Sequence, residues 1–158
     1  MIQDLFSMTA KVCLITGGSS GLGSYMAQGF LEAGAERVFI TGRSKDKLFK
    51  KADELSALGK GQCIGIPGDL SNLEGVQVLA DTISERESHL DVLVNNAGLG
   101  LGTQIQTMTA EAWDKSMDLN TRSPLFLTQA LLDLLKAKAT LDDPSRVIFI
   151  SSVAASGV

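Results

Sequence analysis

The sequence predicts an α/β fold, a doubly wound parallel sheet with helices on both faces. Three observations predict it. Short β-branched or apolar runs alternate with longer stretches of helical period. The runs are nearly continuous in apolar residues, as strands buried on both faces are. A glycine-rich turn stands between the first run and the first helical stretch.

In chain order, strands are expected at residues 11–16, 37–41, 62–66, 91–95 and 146–151, and helices at 22–33, 44–58, 73–87 and 110–138. Ser44 and Ser71 are expected N-caps, and Gly34 and Gly59 fall where a helix needs a left-handed terminator. Pro124 lies inside the last helical stretch, lacks a backbone N–H and should kink or restart that helix. No repeat, linker or low-complexity segment divides the chain, so residues 1–158 are expected to form one domain.

With 44% hydrophobic and 20% charged residues the chain can bury a sizeable core, and a net charge of −4 with dispersed Lys and Arg argues against nucleic acid as a partner. Cys13 and Cys63 sit in strand-like runs and read as small buried hydrophobes, so neither a disulfide nor a metal site is expected. Residues 1–6 lack the basic and apolar regions of a leader, and no run approaches the ~18 apolar residues of a membrane span. The expected location is the cytoplasm. His89 reads as a surface residue, Trp113 and Phe126 as packing on apolar helix faces, and Lys45, Lys47, Lys50 and Lys51 as a solvated face, with Lys47 able to add weak attraction for a phosphate.

The turn Thr16-Gly17-Gly18-Ser19-Ser20-Gly21-Leu22-Gly23 follows the first strand and opens the first helix. Backbone amides there face whatever binds the helix N-terminus, which suits an anion, and the hydroxyls of Ser19 and Ser20 add donors. Glycines also end strands for structural reasons alone. The spacing is neither G-x-G-x-x-G nor a P-loop, which would end in Gly-Lys-Ser/Thr. After the second strand stands Gly42-Arg43-Ser44, near the ~20-residue offset at which a dinucleotide fold places an acid for the ribose 2′-hydroxyl. Gly42 occupies the acid's place, and Arg43 offers planar donors suited to a 2′-phosphate, though an arginine here also reads as a solvated surface charge. The conjunction favours NADP(H) over NAD(H).

The T-G-x-x-x-G-x-G arrangement resembles the short-chain dehydrogenase/reductase family, and Gly42-Arg43-Ser44, Gly68-Asp69-Leu70, Asn95-Asn96-Ala97-Gly98, Asn120 and Ile148-Phe149-Ile150-Ser151-Ser152 match it in order across nearly the whole chain. The resemblance implies a Rossmann-type fold with NADP(H) as cofactor. Gly17, Ser19, Ser20, Gly21, Leu22 and Gly23 would surround its pyrophosphate, and Arg43 with Ser44 the adenosine phosphate. Asp69 and Leu70 would contact adenine, although Asp69 also reads as a turn cap. Asn96, Ala97 and Gly98 would line the adenosine ribose and stabilise the central sheet. Asn120, which also reads as a helix terminator, would hold a water in a proton relay, and Ser152 would fix a substrate carbonyl.

The family's reaction is hydride transfer between nicotinamide and a carbonyl or alcohol, with 3-oxoacyl thioester or polyketide-like carbonyls as the substrate class that the resemblance suggests. A homo-oligomer is implied for the full-length protein. The family's Tyr-x-x-x-Lys has no counterpart: the only tyrosine is Tyr25, with Gly29 four residues later, and six residues follow Ser152. The sequence therefore reads as an incomplete domain truncated after its fifth strand, inactive alone, with Leu131, Leu132, Leu134 and Leu135 uncovered and association favoured. The rival reading is a non-catalytic NADP(H)-binding product that pairs with a partner; a nucleotide-independent interaction protein is disfavoured by the intact cofactor motifs.

Overall fold

A computed structural model describes residues 6–58 and 61–152. Strands β1 (Val12–Ile15), β2 (Arg37–Gly42), β3 (Gln62–Pro67), β4 (Val92–Asn95) and β5 (Arg146–Phe149) pair in parallel in the order β3-β2-β1-β4-β5. After β3 the chain crosses back to place β4 on the other side of β1, so the strand order reverses between β1 and β4 and leaves a crevice at the carboxyl ends of these two strands.

Period-two alternation divides the central strands between two cores. Val12, Leu14, Phe39 and Leu93 face one side, under Val76, Leu79 and Ile83 of α3 (Leu73–Arg86) and Leu127 of α5 (Ser123–Ala130). Cys13, Ile15, Val38, Ile40 and Val94 face the other, under Ala27 and Leu31 of α1 (Gly21–Glu32) and Leu48, Ala52 and Leu55 of α2 (Lys45–Ser56). Each fully buried Leu, Ile or Val contributes about 1.5–3 kcal/mol, so these two layers hold the crevice rigid.

Gly34 ends α1 at φ +101°, as expected, whereas Gly59 lies outside the described residues. The cap of α3 is Asn72 rather than Ser71: its Oδ1 accepts from Gly75 N at 2.8 Å. Ser71 belongs to the preceding turn, since its N–H donates to Asp69 Oδ1 at 3.0 Å. Ser44 precedes α2 as expected but makes no side-chain cap bond.

The stretch expected as one helix is four pieces: α4 (Ala110–Met117), a π-helical turn (Asp118–Arg122), α5, and α6 (Leu132–Ala137). Pro124 explains the first break. It cannot donate to the carbonyl four residues back, that of Asn120, and its ring crowds that carbonyl. The strain is taken up upstream, where Ser123 N–H reaches five residues back to Asp118.

Four expectations on burial are corrected. His89 is buried, with Nε2 at 3.3 Å from Asp91 Oδ2 and 3.4 Å from Lys138 Nζ, because Leu90 N–H bonds to Leu134 O and pulls its loop against α6. Trp113 and Phe126 are exposed at 56% and 39%, Phe126 lining an open groove with Leu73, Val76 and Gln77 of α3. Leu131 and Leu135 are buried in the core under β4, and Leu132 alone of the four leucines is exposed. Edge strand β5 exposes Val147, Ile148 and Phe149.

Candidate functional site

The carboxyl ends of β1, β2, β3 and β4 frame a cleft of about 470 Å³. On one wall the glycine turn is tied to β2: Gly18 N–H bonds to Thr41 O at 3.0 Å and Gly17 N–H to Thr41 Oγ1 at 3.3 Å. On the other side Asn96 locks the turn to β4, its Nδ2 donating to Thr16 O at 2.8 Å and Gly17 O at 3.2 Å. The Thr16 hydroxyl accepts from Asn96 N at 3.0 Å and Ala97 N at 2.9 Å. A β-carbon at Gly23 would lie 2.4 Å from Gly17 O and 2.6 Å from Asn96 Nδ2, so this contact between helix and turn requires glycine.

At Gly21, φ is +55° and nothing lies within 4 Å of where a β-carbon would point, so the start of α1 faces open space. Neither α1 nor α2 has a side-chain N-cap bond, while α3 and α4 are capped by Asn72 and Thr109. The donors at the head of α1 are thus not taken by a side chain, and the helix dipole places partial positive charge there.

Of the residues expected from sequence, Gly17, Ser19, Ser20, Arg43, Asp69, Leu70, Asn96, Ala97 and Gly98 line this one cleft. Gly21, Leu22 and Gly23 form the first turn of α1 behind it, and Ser44 lies at the head of α2. Ser19 Oγ lies 2.9 Å from where a β-carbon on Gly42 would be, so any side chain at position 42 must displace Ser19. Asp69 Oδ1 serves its own turn, accepting from Ser71 N–H. That turn rests on Gly75, where a β-carbon would meet Asp69 O at 1.8 Å.

Asn120 lies in the π-helical turn with its amide committed to the chain after Gly98: Oδ1 accepts from Leu99 N at 2.8 Å and Nδ2 donates to Leu99 O at 2.8 Å and Ser116 Oγ at 3.3 Å. Ser152 follows β5, whose end is joined to β4 by Ile150 N–H to Asn95 O at 3.0 Å. It is exposed on the same edge of the sheet as the cleft. Sequence reasoning missed Thr41, Ser71, Leu99, Lys115 and Leu119, which also line the cleft. A threonine ending an apolar strand was the one readable signal among them, at Thr41.

A parallel sheet with a glycine turn and an open helix N-terminus at its switch point defines a nucleotide-binding domain of the Rossmann type. The family model described as short chain dehydrogenase matches residues 11–157, and the chain belongs to that family. It is 44% identical over 153 residues to the rhamnolipids biosynthesis 3-oxoacyl-[acyl-carrier-protein] reductase of Pseudomonas aeruginosa, covering 97% of this chain and 59% of the relative. The NADP active-site complex of Pseudomonas aeruginosa RhlG superposes with a TM-score of 0.89 at 44% identity, covering 94% of this chain and 57% of that one. L-sorbose reductase of Gluconobacter frateurii, complexed with NADPH and L-sorbose, gives 0.76 at 29% identity over 80% of this chain and 48% of its own. The chain thus spans about half the length of the relatives it matches. Among the described residues no helix is long and apolar enough to cross a membrane, and no three His, Cys, Asp or Glu could hold a metal.

Proposed function

We propose that this chain is the cofactor-binding part of an NADP(H)-dependent oxidoreductase acting on a carbonyl or alcohol substrate, with 3-oxoacyl thioesters the favoured class. The relative named as a 3-oxoacyl-[acyl-carrier-protein] reductase and the NADP complex of RhlG support the substrate class and the cofactor. Bound NADPH supplies a hydride from its nicotinamide.

The amides at the head of α1, with Ser19 and Ser20, would hold the pyrophosphate. Asp69 would accept from the adenine amino group with the oxygen not used on Ser71, and Asn96, Ala97 and Gly98 would line the ribose. Ser152 would donate its hydroxyl to the substrate carbonyl. Asn120 acts through position: with its amide spent on Leu99, it fixes the cleft wall rather than donating to substrate.

The observation that carries the cofactor preference is the meeting of Gly42, Ser19 and Arg43. Position 42 has no room for an acid unless Ser19 moves, and Arg43 stands beside it on the cleft wall. A charge-assisted contact to phosphate contributes about 1.5–3 kcal/mol, which corresponds to roughly a 10- to 150-fold preference for NADPH over NADH. Calorimetry should show that preference, and Arg43→Ala should erase most of it. Equal affinities in the unmutated protein would overturn the reading.

A further inference from the structure

The cleft has two cationic side chains on its walls, Arg43 and Lys115, against the single carboxylate of Asp69. They come from opposite sides of the crevice. Arg43 follows β2, whereas Lys115 is on α4, which follows β4, and it lines the cleft together with Leu119 of the π-helical turn beyond it. Lys115 Nζ is held 2.7 Å from Glu111 Oε1, one turn nearer the start of α4. The side chains of Lys115 and Glu111 are 62% and 78% exposed. An exposed pair of this kind is weak, so the ammonium can exchange Glu111 for another anion at little cost.

We infer that Lys115 is a second determinant of cofactor affinity, a cation tethered on the wall facing Arg43 that leaves Glu111 for the phosphorylated dinucleotide when the cleft fills. This rests on the NADP(H) reading above and extends it to a residue no cofactor motif marks. Glu111 then acts as a built-in competitor. Its carboxyl, held below the usual carboxylate range by the Lys115 ammonium, stays charged throughout the neutral range. Lys115 and Glu111 therefore have opposite effects on affinity, and both effects grow with the charge of the ligand.

Fluorescence titration of NADPH and NADH into the full chain tests this. Lys115→Met keeps an unbranched apolar stem on the cleft wall and removes the charge. It should weaken NADPH binding roughly three- to tenfold at low salt, as expected for loss of one partly screened charge contact, and weaken NADH less. Glu111→Gln should tighten NADPH up to about threefold. Both effects should fade near 0.5 M salt, where the Debye length falls to a few Å. Both side chains are exposed, so unchanged thermal unfolding of the variants is expected and serves as the folding control. Unchanged NADPH affinity in Lys115→Met, or an equal and salt-insensitive loss for both cofactors, would overturn the inference while leaving the cofactor reading intact. Failure of the unmutated chain to bind NADPH would instead remove the cofactor reading itself.

Discussion

Cys13 sits in the middle of the sheet and Cys63 on β3, and burial pushes both thiols up to about 12, from 9.0. In the unfolded chain they ionise near pH 9, so above that value the unfolded state has lost protons that the folded state keeps, and stability must fall as pH rises. For Cys13 the slope approaches about 1.4 kcal/mol per pH unit between 9 and 12, and Cys63 acts in the same direction. Lys11, whose pKa is raised mainly by its hydrogen bond to Asp143, adds stability that is also lost at high pH. Comparing variants separates the two contributions. The melting temperature should drop steadily above pH 9, and a Cys13→Ala/Cys63→Ala protein should show a shallower drop. A thiol-alkylating reagent at pH 8 should label neither cysteine until denaturant is added. Rapid labelling of the folded protein would show that burial does not protect these groups.

The π-helical turn at Asp118–Arg122 is the element on which the far wall of the cleft depends. Pro124 forces the break, and the break places Asn120 where its amide brackets both backbone groups of Leu99. Removing that amide with Asn120→Ala should cost about 1–3 kcal/mol for its two bonds to Leu99 alone, at roughly 0.5–1.5 kcal/mol per bond, and should speed hydrogen exchange at the Leu99 amide. Asn120→Asp keeps the acceptor for Leu99 N–H but turns a carboxylate oxygen toward Leu99 O, so it should be no better than alanine. Exchange at Leu99 as slow as in the unmutated protein would show that the wall is held otherwise. Proline announces such a break in the sequence but does not say how the helix absorbs it. The central strands β1, β2 and β4 were legible because a strand covered on both faces has few polar positions to confuse its pattern, β5 because its residues are apolar although this structure leaves them exposed, and the glycine turn because few other structures need glycine at that spacing. Trp113 and Phe126 were misjudged because period shows that a helix has an apolar face, not how fully a neighbour covers it. Ser71 and Asn72 are adjacent capping types, and only the prior claim of Asp69 on the Ser71 amide decides between them. Lys115 was invisible for a similar reason: in one dimension it is one more surface lysine four residues from a glutamate.

At the scale of the molecule, binding a cofactor and using it are separable in this fold, and the 158-residue polypeptide is expected to do the first without the second. Reducing a carbonyl requires a proton for the oxygen as the alcohol forms, and a positioned general acid typically contributes ~10²–10⁴-fold to such a step. Among the described residues, the expected catalytic side chains on the cofactor edge supply no good donor. The Ser152 hydroxyl is too weak an acid, and the Asn120 amide is neutral and committed to Leu99. Tyr25 is the only phenol in the sequence, and it lies exposed in α1, with Gly29 rather than a lysine four residues on. NADPH should therefore bind this polypeptide and quench or shift its fluorescence without being consumed when a simple ketone or a 3-oxoacyl thioester is added. A longer polypeptide that adds a tyrosine and a lysine four residues apart on the Ser152 side of the sheet should turn over the same mixture. Steady NADPH consumption by a homogeneous 158-residue preparation of verified mass would defeat the expectation and require a proton donor other than these residues.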